Sequence, residues 1–173
     1  VKVGFGDGNF LEQKLTQHNI PHIRFPELIR THNILRNFSF IIKFKKYLDK
    51  NKFDVVHFNS SNALLGAISA KLCKHKPKTI FTYRGLSVLD PNYCPSKIKL
   101  FIYKNIFKLL LKFVDEEVFV SNDNKQTAIK TKLSNQGSVI YNGLDPNQLD
   151  FLETLEAKKY FSKKLNVDNL DSK

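Results

Sequence analysis

The sequence lacks features by which several large classes of protein are recognised. It contains no methionine, it begins with valine, and only two of its 173 residues are cysteine. An intact translation product starts with methionine, so we expect an internal fragment or a decayed reading frame. Cys73 and Cys94 show neither Cys-x-x-Cys nor Cys/His ligand spacing, which predicts free thiols in a reducing compartment.

Long apolar runs and targeting signals are also absent. No apolar run reaches the ~18 residues of a membrane-spanning helix. Residues 1–8 lack the basic and apolar regions of a signal peptide. We therefore expect a cytosolic protein, and attachment to a membrane surface stays open.

Motifs of metal, cofactor and hydrolase sites are missing as well. The sequence has no His, Cys and carboxylate cluster with metal-ligand spacing, no Gly-x-Ser-x-Gly elbow and no Walker-type glycine loop. The run Gly4-x-Gly6-x-Gly8 is rich in glycine, but it lacks the spacing of the dinucleotide fingerprint. We expect neither a bound metal nor a cofactor.

Positive charge is what the sequence has in excess. Lysine and arginine number 28 against 16 aspartates and glutamates, which gives a formal net charge of +12. Such a charge favours anionic partners: phosphorylated substrates, nucleic acid or an anionic membrane surface. The hydrophobic content of 42% is enough for one core of ordinary size, so we predict one globular domain followed by a trailing segment.

Short β-rich runs alternate with longer helical stretches along the chain. This alternation is typical of βα units and predicts an α/β fold, a parallel sheet with helices on both faces. The predicted strands are residues 1–5, 20–26, 53–58, 79–83, 117–120 and 138–141. The predicted helices are residues 9–18, 39–50, 63–73, 96–113 and 124–133, and Ser39 is the predicted N-cap of the second of them.

Polar residues follow several of the predicted strands directly. Ligands of open parallel sheets bind at the carboxyl ends of the strands, where loops and helix N-termini supply backbone N–H groups. The loop 57–62 follows the third strand, and its serines or Asn62 are equally suited to cap the next helix. Arg84 and Gly85 follow the fourth strand. A guanidinium suits bidentate phosphate binding, and the alternative is a surface salt bridge.

Two further strand ends carry weaker signals. The loop Ser121–Asn124 follows the fifth strand and is more typical of a helix cap than of a ligand site. Asn142 and Gly143 follow the last strand. Of the five histidines, only His57 lies at a predicted strand end. The others are predicted to be solvated turn or helix-end residues: His18, His22, His32 and His75.

The helix predicted over residues 96–113 combines lysines with large apolar residues. Lysines 97, 104, 108 and 112 line one face, and apolar residues such as Leu100, Phe101, Phe107 and Leu111 occupy others. Such a helix can lie on an anionic bilayer. We favour the alternative that the helix is a crossover helix, which covers the sheet and keeps its lysines in water. The two possibilities are compatible if only one end of the helix touches lipid. Nucleic-acid binding is disfavoured because no binding motif is present.

Four stretches resemble, in order and spacing, the retaining glycosyltransferases of family 4, which have the two-domain GT-B fold. They are FDVVHFNSS at residues 53–61, the small-residue helix at 63–71, TIFTYRG at 79–85, and the stretch from VFVSN at residue 118 to the VIYNGLD run. The last is the most specific, because such a run closes the first domain of the family and opens the second. The resemblance covers nearly the whole chain.

The resemblance implies a Rossmann-like, acceptor-side domain that is truncated at both ends. Residues 1–145 correspond to a partial N-terminal domain without its first strand, and residues 146–173 to a linker and the start of the missing donor domain. The parent enzyme would transfer a sugar from a nucleoside diphosphate donor to an acceptor hydroxyl. It would do so without an essential metal, and we expect the fragment alone to be inactive.

The resemblance and the positive charge together imply partners and a location. The nucleotide sugar would bind through the missing domain, and the acceptor would be a sugar or a lipid-linked glycan of the cell envelope. A peripheral position on the inner face of the plasma membrane fits the basic character. No nucleic-acid partner is expected.

Two departures from the family limit which roles carry over. Arg84 stands where the family has histidine before glycine, and Asn59 stands where a second histidine often follows His57. No catalytic residue is therefore assigned. The predicted cleft residues are His57, Asn59, Ser60, Ser61, Arg84, Gly85, Ser121, Asn142 and Gly143. Two alternatives stay open: a non-enzymatic basic module that binds anionic membrane or nucleic acid, and half of a sugar-nucleotide epimerase with the same two-domain architecture.

Overall fold

The computed structural model divides the chain into two compact units, Val1–Tyr141 and Asn142–Lys173. It describes residues 1–29, 33–86, 96–143, 145 and 152–165. Predictions about His32, Cys94 and the beginning of the trailing segment at 146–151 lie outside the described residues. In the described ranges, no helix is long and apolar enough to cross a membrane.

Strands and helices alternate in the first unit. The strands are β1 (Val3–Phe5), β2 (His22–Arg24), β3 (Val55–Phe58), β4 (Lys78–Tyr83), β5 (Glu116–Phe119) and β6 (Ser138–Val139). The helices are α1 (Asn9–Gln17), α2 (Ile34–Lys50), α3 (Gly66–Leu72), α4 (Lys97–Leu111) and α5 (Asn122–Lys130), and a 3-10 turn (Ala63–Leu65) precedes α3. The second unit contains α6 (Thr154–Leu165).

All strand pairs are parallel, which confirms the predicted α/β class. The described strands form two sheets: β1 pairs with β2, and the other four lie in the order β3, β4, β5, β6. In the larger sheet Phe58 pairs with Phe81, and Tyr83 pairs with Phe119. Helices connect successive parallel strands, as a parallel sheet requires.

The start of α2 differs from the prediction. The helix begins at Ile34 and not at Ser39, and its N-cap is Asn33, whose side chain accepts a hydrogen bond from the backbone N–H of Arg36 at 3.1 Å. Ser39 lies inside the helix. The prediction failed because Ile34 and its neighbour Leu35 are exposed, so the first turn lacks the buried apolar spacing that marks a helix in sequence.

The main core lies between the larger sheet and the helices that follow its strands. At its centre the ring of Tyr83 stacks on Phe119 at 4.3 Å, and Phe107 of α4 meets Phe81 edge-on at 5.6 Å. The Tyr83 hydroxyl donates a hydrogen bond of 2.5 Å to the buried Glu117. Burial raises the pKa of the Glu117 carboxyl above its usual value.

Aromatic side chains of α2 connect the smaller sheet to the larger one. Phe44 lies 5.4 Å from Phe25, which follows β2, and 6.4 Å from Phe58 of β3, measured between ring centroids. Helix α3 packs closely on α2 because its residues are small. A Cβ added to Gly66 would lie 3.0 Å from the ring of Phe44, and the Ser69 hydroxyl donates to the carbonyl of Ile41 at 2.8 Å.

One predicted thiol is part of this packing. Cys73 is a free cysteine, as predicted, and it is buried beside Leu48 and Ala70.

Asp115 joins three elements at the amino end of the larger sheet. Its Oδ1 pairs with the Nζ of Lys71 at 2.6 Å, and its Oδ2 accepts hydrogen bonds of 2.8 Å from both the backbone N–H and the hydroxyl of Thr79. The hydrogen bond from Lys71 is the largest cause that lowers the pKa of Asp115 to about 2. This end of the sheet is therefore fixed by side-chain contacts.

We predict that Asp115→Asn lowers the free energy of unfolding at neutral pH by about 1 kcal/mol, a value discounted for partial exposure. Because the folded-state pKa is depressed from 3.8 to about 2, the stabilisation is present above the ordinary pKa and is lost as the pH falls through the folded one. Urea unfolding followed by circular dichroism should show the difference shrinking between about pH 5 and about pH 2. Glu116→Gln, which changes an exposed neighbour, is the matched control. A difference that stays constant across this range would contradict the assignment.

Candidate functional site

The carboxyl ends of β3, β4 and β5 meet at one edge of the larger sheet because the strands are parallel. We call the residues at this edge, 57–62, 82–86 and 120–122, the carboxyl rim. Strand β4 continues two residues beyond Phe81, the register partner of the last residue of β3. At the rim, the end of β4 therefore extends two residues further than the end of β3.

The side chain of His57 contacts the neighbouring strand β4 at the rim. Its register partner is Ile80, and Thr82, two residues further on, lies on the same face of the sheet. The Nε2 atom of His57 lies 2.7 Å from the Thr82 hydroxyl. Partial burial, followed by the positive charge of Arg84, lowers the pKa of His57 below 6.5. The imidazole is consequently neutral at pH 7.

Arg84 is held at the rim by the neighbouring loop. It follows β4 directly, it is exposed, and its Nη2 donates a hydrogen bond of 3.2 Å to the side-chain oxygen of Asn59. The contact joins the loops after β3 and β4, so two of the predicted residues are brought together. The planar guanidinium suits a phosphate or carboxylate, to which it can donate two parallel hydrogen bonds.

The rim serines differ in what their hydroxyls do. The Ser60 hydroxyl accepts from the backbone N–H of Ala63 at 3.2 Å, and the Ser121 hydroxyl accepts from the backbone N–H of Asn124 at 3.1 Å. Both therefore cap the helical turns that follow them. Ser61 is exposed. A ligand-binding role for the three serines stays a prediction.

Glycines and the last strand end complete the predicted set. Gly85 is exposed, and among the described residues nothing lies within 4 Å of a Cβ added there. The packing of the described residues thus does not demand glycine at this position. Asn142 and Gly143 are exposed residues at the beginning of the second unit.

Sequence reasoning missed two polar residues at or near the rim, Thr82 and Tyr141. Thr82 is buried beneath His57, and the side-chain amide of Asn122 donates a hydrogen bond of 2.7 Å to the hydroxyl of Tyr141. Thr82 could have been found as a polar residue inside a strand of apolar ones. Tyr141 stands beside Asn142 in the run that carries the resemblance, but its contact with α5 has no local signal.

One histidine was wrongly predicted to be a solvated turn or helix-end residue. His22 is the first residue of β2 and is half-buried, with its ring 5.9 Å from that of Phe5. His18, by contrast, caps the end of α1.

The chemistry available at the carboxyl rim is that of binding polar ligands. Its residues include no carboxylate, and the described residues contain no group of three or more His, Cys, Asp or Glu side chains that could hold a metal ion. His57 is the one imidazole of the rim. With the guanidinium, amide and hydroxyl groups around it, the rim can hydrogen-bond hydroxyls and phosphates.

Comparison with known proteins gives one family and one fold. Residues 3–148 match the model of Glycosyltransferase Family 4, and no curated protein matches the sequence. Fifteen solved chains match the structure. Among them is Anabaena HepE in complex with UDP and glucose, with a TM-score of 0.62 and 22% sequence identity. The match covers 97% of this chain and 43% of HepE, so the chain spans less than half of that structure.

We predict that His57 titrates below its ordinary pKa of 6.5 and that Arg84→Gln raises this pKa part of the way back. The return is partial because burial, which Arg84→Gln leaves in place, is the larger cause. Two-dimensional NMR of the histidine side chains over pH 5–8 measures both values. Lys78→Gln, which removes a charge from the opposite end of β4, should leave the titration unchanged. A His57 midpoint at or above 6.5 in the unsubstituted chain would refute the rim geometry.

Proposed function

Because the chain belongs to Glycosyltransferase Family 4, we propose that it forms the acceptor-side part of an enzyme that transfers a sugar from a nucleoside diphosphate donor to an acceptor hydroxyl. The observation that carries the proposal is the carboxyl rim, where Arg84 is held by Asn59 and His57 by Thr82. The similar fold of HepE, whose structure contains UDP and glucose, supports a nucleotide sugar as the donor.

In the proposed enzyme, this chain and a second, donor-binding domain bind different parts of the substrates. The nucleotide sugar binds mainly to that domain, and the carboxyl rim forms the facing wall of the cleft. As the bond to the leaving diphosphate breaks, charge develops on its oxygens, and positive groups at the cleft stabilise it. We expect the chain alone not to catalyse transfer.

Each rim residue has a proposed part in ligand binding. Arg84 contacts a phosphate of the acceptor or of the donor, and the neutral imidazole of His57 hydrogen-bonds an acceptor hydroxyl. Gly85 and Ser61 contribute backbone and hydroxyl contacts. Asn142 and Gly143, which belong to the second unit, stay predicted binding residues. The configuration of the sugar is retained, and no metal takes part.

We propose a lipid-linked or other cell-envelope glycan as the acceptor. The enzyme would meet it at the inner face of the plasma membrane, as a peripheral protein on the cytoplasmic side. The net charge of +12 supports this location, because the cytoplasmic leaflet is anionic and attracts basic surfaces.

We predict that Arg84→Ala lowers transfer by about 10- to 100-fold, since a charge-assisted hydrogen bond is worth roughly 1.5–3 kcal/mol. Arg84→Lys should retain part of the activity, because it keeps the charge but not the bidentate fork. Transfer is measured with labelled nucleotide sugars in a protein that joins this chain to a donor-binding domain. Lys78→Ala, at the amino end of the same strand, should have no effect.

Near-normal transfer by Arg84→Ala would remove Arg84 from the proposed site. The reaction product distinguishes a glycosyltransferase from a sugar-nucleotide epimerase. A transferase releases the nucleoside diphosphate and extends the acceptor, whereas an epimerase returns a nucleotide sugar of changed configuration.

We predict that Gly85→Ala leaves the stability of the chain unchanged and lowers transfer by about 10-fold. No described atom lies within 4 Å of the added Cβ, so any loss of activity reports a ligand that approaches the backbone there. Thermal unfolding and the transfer assay are measured on the same preparation. Gly66→Ala is the contrasting variant, because its added Cβ meets the ring of Phe58 at 2.8 Å and should alter stability. Full activity in Gly85→Ala would show that no ligand comes close.

A further inference from the structure

Helix α4 presents two apolar faces, and one of them faces away from the core. Phe107, Leu110 and Leu111 are buried in the main core. The opposite face carries five large apolar residues that are exposed to solvent. Their exposed fractions are 74% for Ile98, 68% for Phe101, 49% for Ile102, 48% for Ile106 and 54% for Leu109. We call these five residues the α4 stripe.

The α4 stripe runs along the helix and includes one exposed polar residue, Asn105, whose amide donates a hydrogen bond of 2.8 Å to the carbonyl of Phe101. At 3.6 residues per turn its members fall within about 140° of the helix circumference, opposite the three buried residues. From Ile98 to Leu109 it extends about 16 Å at 1.5 Å per residue. An exposed apolar surface of this kind marks an interaction site more often than scattered apolar residues do.

Lysines border the α4 stripe, and no acidic residue is near it in sequence. Lys97, Lys104 and Lys108 lie along one border and Lys99 along the other, while Lys112 lies at the carboxyl end of the stripe. Between residues 96 and 114 the sequence contains no aspartate or glutamate. An apolar stripe between rows of cations is the surface that lies flat in the interface of an anionic bilayer, with the lysine heads at the phosphates.

The charges of this face favour a bilayer over a second copy of the chain and over nucleic acid. A second copy would bring a further set of five lysines against these five, and like charges repel. Nucleic acid would contact the lysines, but it would leave Ile98, Ile102 and Leu109 without an apolar partner, since bases stack on aromatic rings and not on aliphatic chains. An anionic lipid surface satisfies both parts of the face, which neither of these two occupants does.

The orientation of α4 relates this face to the carboxyl rim. The carbonyl of Phe113, just after α4, accepts a hydrogen bond of 3.1 Å from the hydroxyl of Thr79 at the amino end of β4. The helix therefore ends at the amino edge of the sheet and begins toward the carboxyl edge, where Arg84 lies. A bilayer bound along α4 would hold the rim near the lipid headgroups.

We infer that the α4 stripe and its flanking lysines form a docking surface for an anionic lipid bilayer. The inference deepens the peripheral attachment proposed above and rests on that proposal for its biological meaning. The surface itself is defined by exposure and charge, so vesicle binding tests it independently of sugar transfer.

The absence of tryptophan allows a direct test by fluorescence. Phe101→Trp introduces a single indole into the α4 stripe, and Phe10→Trp introduces one at a position of α1 that is equally exposed, 73% against 68%. Vesicles of phosphatidylcholine and phosphatidylglycerol, mixed about three to one, provide the anionic surface. We expect a blue shift of the emission for Phe101→Trp and none for Phe10→Trp, and no shift for either with phosphatidylcholine alone.

Flotation with the same vesicles measures the contribution of each part of the face. Ile98→Ser combined with Phe101→Ser, and separately Lys97→Gln combined with Lys104→Gln and Lys108→Gln, should each weaken binding by about 10-fold or more. The matched controls are Phe10→Ser with Leu72→Ser, which are exposed apolar residues elsewhere, and Lys50→Gln with Lys52→Gln and Lys78→Gln. These controls should bind as the unsubstituted chain does.

Three results would overturn the inference. They are no binding of the unsubstituted chain to anionic vesicles, equal losses in the α4 variants and their controls, and a self-association that Ile98→Ser with Phe101→Ser abolishes in the absence of lipid. Transfer to a water-soluble acceptor separates the two proposals. Measured in the protein that joins this chain to a donor-binding domain, this transfer should be retained by the α4 variants. Vesicle binding through α4 with no transfer by that joined protein would leave the docking surface standing while refuting the proposed function.

Discussion

The parallel register of β3, β4 and β5 is the constraint on which the rest of the structure depends. It sets Tyr83 against Phe119 in a stack of 4.3 Å, and the same pairing brings His57 within 2.7 Å of Thr82. A slip of one residue would turn every side chain to the opposite face of the sheet. Core and carboxyl rim would then be lost together, because both are consequences of one set of backbone hydrogen bonds.

The two ends of the larger sheet differ in how their polar groups are used. At the amino end, the carboxylate of Asp115 binds both Lys71 and Thr79, and these contacts connect the sheet to α3. At the carboxyl end, the polar side chains lie on exposed loops and include Arg84 and Asn59. This asymmetry follows from the geometry of parallel α/β sheets, in which the carboxyl ends of the strands receive ligands and the amino ends stabilise the fold.

Helix α4 shows how packing determines which residues of an element remain on the surface. Its inner residues meet Phe81 and Tyr83, and this contact fixes the rotation of the helix about its axis. Because the rotation is fixed, Ile98 and Phe101 face outward. The sequence contains enough apolar residues for either face of α4 to be buried, and packing against the aromatic centre of the sheet selects one of them.

The sequence by itself determined the class of fold, the order of the elements and the carboxyl ends of β1, β3 and β4. These features depend on local spacing and on caps such as Ser121, which bonds Asn124 three residues away. Only the tertiary structure decided that the described strands form two sheets, that α2 begins at Ile34, and which residues meet at the rim. The His57–Thr82 contact spans 25 residues. Such contacts depend on the register between strands, which no local pattern specifies, whereas a helix or a strand end is specified within a few residues.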